Sequence, residues 1–128
     1  MSVFDKYIGL PFRRMGRTRL GLDCWGLVRL VLMENGGPQL PTYDGEDPDG
    51  TNIEFHANNF PEIDIKDARA FDVAILMHHM RVGSRWGLVP THIGIFTAPG
   101  RVLHVLEGKQ SVVQPIKDLK IHKIVRVI

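Results

Sequence analysis

The stretch Gly21–Gly37, GLDCWGLVRLVLMENGG, decides the fold because it contains the clearest helix pattern in the chain. Its apolar residues recur at the spacing of one helix face: Cys24, Leu27, Val28, Val31 and Leu32. Asp23 is a favourable N-cap residue, and the pair Gly36–Gly37 supplies a stop signal. The sequence therefore predicts a helix that begins at the single cysteine and buries one apolar face.

The size and composition indicate one soluble globular domain, residues 1–128. The chain has 128 residues, of which 44% are hydrophobic and 23% are charged, and its formal net charge is +2. Four arginines lie within Arg13–Arg19, where they could contact phosphates or another anion. No aromatic residue is interleaved with them, which favours a solvated loop over a nucleic-acid site.

Neither a disulfide nor a membrane span is expected. A single cysteine cannot form an internal disulfide, which is typical of a reducing compartment. The N-terminal stretch MSVFDKYIGL lacks the charged start and long apolar core of a signal peptide. The longest apolar run, Leu27–Met33, is too short to cross a bilayer and contains Arg29. The sequence predicts synthesis in the cytoplasm without a signal peptide.

Helices are predicted in the N-terminal half and strands in the C-terminal half. A short helix over Val3–Ile8 precedes the cysteine helix, and another over Asn52–Asn59 follows the turn-rich, acidic loop Pro38–Gly50. The segment His78–Pro90 is interpreted as a glycine-rich connection or a hairpin. Five strands are expected: Phe71–Met77, Thr91–Phe96, Arg101–Glu107, Ser111–Ile116 and His122–Ile128. This order predicts an α+β domain with N-terminal helices packed on an antiparallel sheet of about five or six strands.

Cys24 is predicted to be the first residue of its helix, where unpaired N–H groups and the helix dipole favour a negative charge. This position should therefore favour the thiolate, which is the nucleophilic form of cysteine. The neighbouring carboxylate of Asp23 opposes that effect, and a general base close to the sulfur would support it.

The loop between two predicted strands decides where the candidate bases lie. A three-residue loop, Ala98–Gly100, with Gly100 in the left-handed conformation would pair Thr97 with Arg101. Counting back along both strands then places Gly94 opposite His104. A two-residue loop would instead turn His104 to the far face of the sheet.

In the first register, His92 and His104 are diagonal neighbours on one sheet face, roughly 7–8 Å apart at their bases. Because Gly94 has no side chain, the ring of His104 has room to lean toward His92. This arrangement permits a nucleophile, a base and an orienting residue, the logic of a catalytic triad.

Each of these features also has a structural explanation. A cysteine on an apolar helix face is more often a core residue than a nucleophile, and strand histidines are commonly structural. The other histidines have no zinc-ligand spacing, and the acidic loop lacks the order of a calcium-binding loop. The sequence predicts no metal and no cofactor, and spacing alone leaves both explanations of the cysteine and histidines open.

Four segments together resemble the NlpC-type cell-wall cysteine peptidases: LDCWGLVRLVL, FDVAIL, HIGIF and RVLH, whose His104 lies twelve residues after His92. The stretch over residues 16–41, GRTRLGLDCWGLVRLVLMENGGPQLP, resembles in particular the branch found in bacteriophage tail-tip assembly proteins. The match extends from about Tyr7 to His104. It implies a small papain-like α+β domain that cuts the peptide stems of peptidoglycan, usually after a D-glutamyl residue.

The resemblance also implies roles for individual residues. Cys24 corresponds to the nucleophile, His92 to the general base and acid, and His104 to the residue that orients His92. Asp23 is implied to help bind the free amino end of the stem peptide. Asp72 in FDVAIL is interpreted as a structural residue at a strand start.

Two residues of the implied substrate site depart from the family pattern. Trp25 stands where many members have a serine that contacts substrate, and its indole could form a platform or a pocket wall. Phe12 stands where many have a tyrosine whose hydroxyl lies near the reacting carbonyl. Losing that donor could cost a few kcal/mol of transition-state stabilisation.

Three functions remain open at this point. The first is a peptidoglycan endopeptidase, with other phage tail proteins as partners and the virion tail as its final location. The second is a structural tail-assembly protein whose triad is weak or vestigial. The third is a thiol acyltransferase or amidase that applies the same triad to another acyl donor. The sequence predicts a peptidoglycan peptide, and no nucleic acid, as the ligand.

Overall fold

The predicted cysteine helix forms α1, Cys24–Glu34, in the computed structural model, which describes residues 2–42 and 57–128. The Asp23 side chain caps its start by accepting a hydrogen bond from the Gly26 N–H at 2.8 Å. At its end, Gly36 takes a φ of 81° and the Gly37 N–H reaches the carbonyl of Leu32 at 2.8 Å. Both predicted ends of the helix are confirmed, and the C-terminal bond is that of a Schellman motif.

Other N-terminal predictions have mixed outcomes. The predicted helix over Val3–Ile8 is reduced to one 3₁₀ turn at Asp5–Tyr7. Most of the predicted helix Asn52–Asn59 and of the loop Pro38–Gly50 lies outside the described residues. Within the described residues, no helix has both the length and the apolar character needed to cross a membrane.

A small two-stranded sheet that was not predicted precedes α1. Its strands are β1, Arg17–Thr18, and β2, Gly21–Leu22, paired antiparallel. The loop before β1 lies against the helix start, since a Cβ added at Gly26 would stand 2.1 Å from the Gly16 carbonyl oxygen. Glycine at position 26 therefore allows the β1–β2 region to pack directly on the first turn of α1.

The main sheet has five antiparallel strands in the order β6-β5-β4-β3-β7. Their bounds are Val73–Val82 for β3, Arg85–Ala98 for β4, Arg101–His104 for β5, Val112–Pro115 for β6 and Ile121–Val125 for β7. The predicted α+β class, with a helix packed on an antiparallel sheet, is confirmed.

Strands β3 and β4 are longer than predicted because segment 78–90 continues both of them. Val82 pairs with Arg85 across a tight turn, so the segment is a hairpin and not an irregular connection. Between the pairs Leu76–His92 and His78–Val89, β4 contains one more residue than β3, which makes a bulge just before His92.

The two faces of the sheet carry different residues. The face toward α1 forms the larger apolar core, which includes Leu27 and Val31 of the helix and Ile75, Ile95 and Leu103 of the strands. The opposite face carries a smaller apolar cluster: Ala68, Ala74, Leu76, Phe96, Val102 and Ile124. Side chains alternate along each strand, so His92 and His104 lie on the face of the smaller cluster.

The β4–β5 turn differs from the prediction but produces the predicted register. Ala98 pairs with Arg101 around a two-residue turn, and Gly100 has a φ of 81°. The predicted Thr97–Arg101 pair is therefore wrong. An irregularity between Phe96 and Ala98 adds one residue to β4, so that Phe96 pairs with Val102, as the three-residue loop would require. The bulge thus keeps His104 on the face of His92.

Candidate active site

Cys24 is the first residue of α1 and is partly exposed, so it is not sealed within the core. The residue before it is held in place by two interactions. Asp23 Oδ1 accepts the N–H of Gly26 at 2.8 Å and pairs with Arg17 Nη1 at 2.7 Å. Arg17 also donates to the carbonyls of Gly16 and Thr42. The ion pair therefore joins the β1–β2 region to the helix start.

This ion pair changes two predictions made from the sequence. The arginine-rich stretch is not simply a solvated loop, because the Arg17 side chain is only 12% exposed and Arg19 pairs with Glu34. Asp23 was implied to bind a substrate amine, but its carboxylate already holds the helix cap and a guanidinium. A substrate amine would have to compete with Arg17 for that carboxylate.

The surroundings of Cys24 oppose the predicted stabilisation of a thiolate. Although the residue is partly exposed, the atoms packed around its sulfur, followed by the charge of Asp23, raise the pKa of the thiol to about 12. The main-chain N–H groups of Ile93 and Trp25 and the charge of Arg17 act in the opposite direction. Desolvation outweighs these favourable dipoles, so the resting sulfur is a neutral thiol near pH 7.

The two histidines meet as the sheet register requires. Nε2 of His92 lies 2.8 Å from Nδ1 of His104, and the ring centroids are 5.1 Å apart in an edge-to-face arrangement. A Cβ added at Gly94 would stand 3.3 Å from the Cβ of His104 and 3.0 Å from the carbonyl oxygen of Leu103. Glycine at position 94 therefore leaves the space that lets the His104 ring reach His92.

A third polar side chain, which the sequence did not single out, continues this contact. Nε2 of His104 lies 2.5 Å from Oε1 of Gln114 on β6. Strand β6 pairs with β5 so that His104 is opposite Val112 and Val102 is opposite Gln114. Working out the β5–β6 register would have placed the amide diagonally beside His104. We call His92, His104 and Gln114 the polar row.

The histidines of the polar row are neutral near pH 7. Burial lowers the pKa of His92 to about 3, with His104 and His78 contributing in the same direction. Burial also lowers the pKa of His104, while its bond to Gln114 acts against that shift. The ring of His78 lies 5.8 Å from that of His92, so a positive charge on His78 would oppose one on His92.

The structure brings the thiol to the strand that carries His92. The main-chain N–H of Ile93, the residue after His92 on β4, lies close enough to the Cys24 sulfur to lower the pKa of the thiol. The nitrogen of His92 that faces His104 is Nε2, which leaves Nδ1 available for another partner. In general, a neutral thiol can transfer its proton to a neutral imidazole within reach as the sulfur attacks an electrophile.

The other predicted substrate residues differ in their accessibility. Trp25 is 1% exposed, its Nε1 donates to the Pro41 carbonyl at 2.7 Å, and it borders an apolar pocket with Leu40 and Phe60. Of the two alternatives that the sequence left open, a platform or a pocket wall, the buried indole has the position of a pocket wall. Phe12 is partly buried against the core and bridges Leu22. It contributes no hydroxyl at that position.

Asp72 has the contacts of a structural residue, as its place at a strand start indicated. Its carboxylate accepts the Arg69 N–H at 3.0 Å and two bonds from the Arg126 guanidinium at 2.9 and 3.0 Å. The side chain is almost completely buried. Asp72 thus ties the start of β3 to the C-terminal segment, away from the polar row.

Comparisons with known proteins identify a family and a shared fold. The model of the NlpC/P60 family matches residues 9–126. No curated protein matches the chain. One similar solved structure is the NlpC/p60 domain of the peptidoglycan hydrolase SagA, with a TM-score of 0.67 and 20% identity over 95% of this chain and 91% of that one.

Two longer proteins share the same fold over part of their length. A lipoprotein-like NLP/P60 family protein from Staphylococcus aureus subsp. aureus Mu50 has a TM-score of 0.66 and 22% identity, covering 96% of this chain and 38% of that one. An NlpC/P60 family protein from Bacillus cereus ATCC 10987 has a TM-score of 0.66 and 18% identity, covering 94% of this chain and 36% of that one. These likenesses support the small papain-like α+β fold.

Proposed function

The chain belongs to the NlpC/P60 family, and from that premise we propose that it is a cysteine peptidase that hydrolyses peptide stems of peptidoglycan. The proposal rests above all on one observation. Cys24 begins α1 beside β4, and β4 carries His92 in contact with His104 at 2.8 Å. This is the combination of nucleophile, base and orienting group that acyl transfer requires.

In the proposed mechanism, the Cys24 sulfur attacks the carbonyl carbon of the scissile amide while its proton passes to Nδ1 of His92. The Cys24 main-chain N–H is the candidate donor to the resulting oxyanion. The imidazolium of His92 then protonates the departing amine, and the carbon–nitrogen bond breaks. Finally, His92 removes a proton from the water that hydrolyses the thioester, which releases the carboxylate and restores the thiol.

The raised thiol pKa fits a mechanism in which the base acts during attack. A thiol pKa of about 12 and an imidazole pKa of about 3 strongly favour the neutral pair when no substrate is bound. In this proposal the thiolate–imidazolium pair forms only as the carbon–sulfur bond develops. A bound peptide would have to supply the stabilisation that makes this step accessible.

The finer substrate assignment comes from the sequence resemblance. We propose cleavage after a D-glutamyl residue, next to the diamino acid of the stem, and association with a phage or prophage tail. The pairing of Asp23 with Arg17 modifies one part of this proposal. Because that carboxylate is already compensated, recognition of a free amino end at Asp23 is weakened, and stems without a free amine should be accepted comparatively well.

A structural tail-assembly role is the second candidate, and two observations favour it. The thiol pKa is raised, and Phe12 has no hydroxyl to offer near a reacting carbonyl. Both are consistent with a triad that is present but weak. In that case Cys24→Ala would leave assembly and infectivity unchanged. Acyl transfer to an amine remains a third possibility, which would yield an amide product from an added amine acceptor.

The decisive experiment is digestion of purified muropeptides followed by mass spectrometry of the products. Cys24→Ala and His92→Gln should each abolish cleavage, whereas His79→Gln on the exposed part of β3 should leave it intact. The masses identify the bond that is cut. Cleavage that persists in folded Cys24→Ala would overturn the peptidase proposal, and an amide formed only with an added amine would support the acyltransferase.

A further inference from the structure

We propose that Gln114 is a positioning residue that sets the proton positions of both histidines and thereby leaves Nδ1 of His92 free to act as the base. This inference rests on the proposed function for its catalytic meaning, though not for its geometry. The three side chains of the polar row come from consecutive strands, β4, β5 and β6, and lie on one sheet face. Each contacts the next through a ring nitrogen.

The proton positions follow from what each atom can donate. Oε1 of Gln114 only accepts hydrogen bonds, so its 2.5 Å contact requires a proton on Nε2 of His104. A neutral imidazole carries one such proton, which leaves Nδ1 of His104 as an acceptor. Its 2.8 Å contact then requires a proton on Nε2 of His92. Neutral His92 is left with an unprotonated Nδ1.

The opposite arrangement would give the wrong tautomer. Without an acceptor beside Nε2, His104 could carry its proton on Nδ1 and donate to Nε2 of His92. The remaining proton of His92 would then stand on Nδ1, where it could not receive a proton from the thiol. In other triads, a base held in the wrong tautomer loses most of its catalytic effect. The amide at position 114 therefore determines, through the rings of His104 and His92, whether Nδ1 of His92 can accept the proton of the Cys24 thiol.

The position of Gln114 suits such a role. The residue is only partly buried on β6, whereas His104 is almost completely buried and His92 is buried beside it. The amide is uncharged, so it orients the ring of His104 without introducing a charge beside it. A glutamate at the same place would keep the accepting oxygen, but it would stabilise the positively charged form of His104.

The first test is ¹⁵N NMR of the imidazoles in a Cys24→Ala background, which reports tautomers independently of any reaction. His92 and His104 should both carry the proton on Nε2. Adding Gln114→Leu should produce mixed tautomers at both rings, and adding Gln114→Glu should preserve Nε2–H and raise the pKa of His104. Gln110→Leu, at an exposed glutamine, serves as the matched control and should change neither ring.

The second test is kinetic and uses chains that retain Cys24. Gln114→Leu should lower kcat about 10-fold or more with little change in KM, and Gln114→Glu should recover part of the rate with a shifted pH profile. A proton on Nδ1 of His104 in the parent background, or tautomers unchanged by Gln114→Leu, would overturn this inference. If the parent chain cleaves no peptide, the proposed function fails while the NMR result still decides the role of Gln114.

Discussion

The candidate site contains two polar groups, and they are stabilised in different ways. On the helix side, Arg17 and Asp23 form an ion pair at 2.7 Å in which charge compensates charge. On the sheet side, the polar row is neutral and is held only by hydrogen bonds. The difference indicates that the two groups have different roles. The ion pair fixes the position of the helix start, whereas the row can gain and lose a proton.

The largest effect should come from removing the charge that compensates Arg17. Asp23→Ala deletes the helix cap and leaves a largely buried guanidinium unpaired, so we expect the free energy of unfolding to fall by about 3–5 kcal/mol. Urea denaturation followed by circular dichroism measures this change. The exposed Asp64→Ala is the matched control and should cost less than about 0.5 kcal/mol.

A double variant separates the ion pair from the cap. Asp23→Asn retains a good N-cap, and combining it with Arg17→Met removes both charges from the partly buried site. Most of the lost stability should return in this double variant. If Asp23→Ala instead lies within about 0.5 kcal/mol of the parent, the ion pair does not fix the helix start.

The polar row should make the protein sensitive to acid in a defined window. The ordinary pKa of histidine is 6.5, whereas that of folded His92 is about 3, so the unfolded chain binds a proton first as the pH falls. Stability that is present above pH 6.5 is therefore lost on the way down to pH 3. Between pH 6.5 and 4.5 the loss through His92 should be about 2–3 kcal/mol.

The matched comparison for this effect is His92→Gln, which cannot titrate. Unfolding free energies of the two chains at a series of pH values isolate the contribution of His92 from that of the carboxylates. The parent curve should fall more steeply below pH 6.5. Parallel curves would mean that His92 titrates alike in the folded and unfolded chains, and the row would then not be the neutral group described here.

Substitution at Gly94 tests the space on which the row depends. In Gly94→Ala the new Cβ would lie 2.7 Å from Val102 Cγ1 and 3.0 Å from the Leu103 carbonyl oxygen. Since the second atom belongs to the backbone, the strain cannot be relieved by a rotamer change, and we expect a cost of about 1–3 kcal/mol. Peptidase activity should fall even under conditions in which the variant stays folded, because the strands must separate where the rings of His92 and His104 meet.

Gly87→Ala is the control for that substitution. It lies on the same strand, and a Cβ there would meet no other atom within 4 Å. Its effect on stability and activity should therefore be small. Equal losses of activity in both variants would show that β4 is sensitive to any change, and that the space at Gly94 has no special importance for the rings.

The same contrast explains how far the sequence could predict the molecule. The helix side could be predicted, because the apolar period of α1 and the cap at Asp23 are local signals within one segment of sequence. The partner of that cap was missed, since Arg17 reaches Asp23 only through the β1–β2 pairing. The sign of the thiol pKa was also missed, because desolvation depends on three-dimensional packing that a helix position does not reveal.

On the sheet side, prediction succeeded where one register was enough. Counting residues across one hairpin was enough to place His92 and His104 on the same sheet face. The structure reaches that register through a bulge at Thr97 and not through a longer loop. Placing Gln114 beside His104 requires the register of a second strand pair, β5 and β6, which was not worked out from the sequence. The extension of β3 and β4 was left open between a connection and a hairpin, because segment 78–90 lacks the clean alternation of a half-buried strand.

The smallest expected effect concerns the turn that joins the two strands of the row. Gly100 has a φ of 81°, and a Cβ there would meet no atom within 4 Å, so Gly100→Ala should cost only the backbone term of about 1–2 kcal/mol. Gly100→Asn, which tolerates this conformation better, should cost less. Peptidase activity should survive in both, because the register is also fixed by the Phe96–Val102 and Ile95–Leu103 pairs. If Gly100→Ala abolishes activity while costing so little stability, the turn itself determines on which face His104 lies. The polar row would then depend on a single left-handed residue and not on the bulge and the strand pairs beyond it.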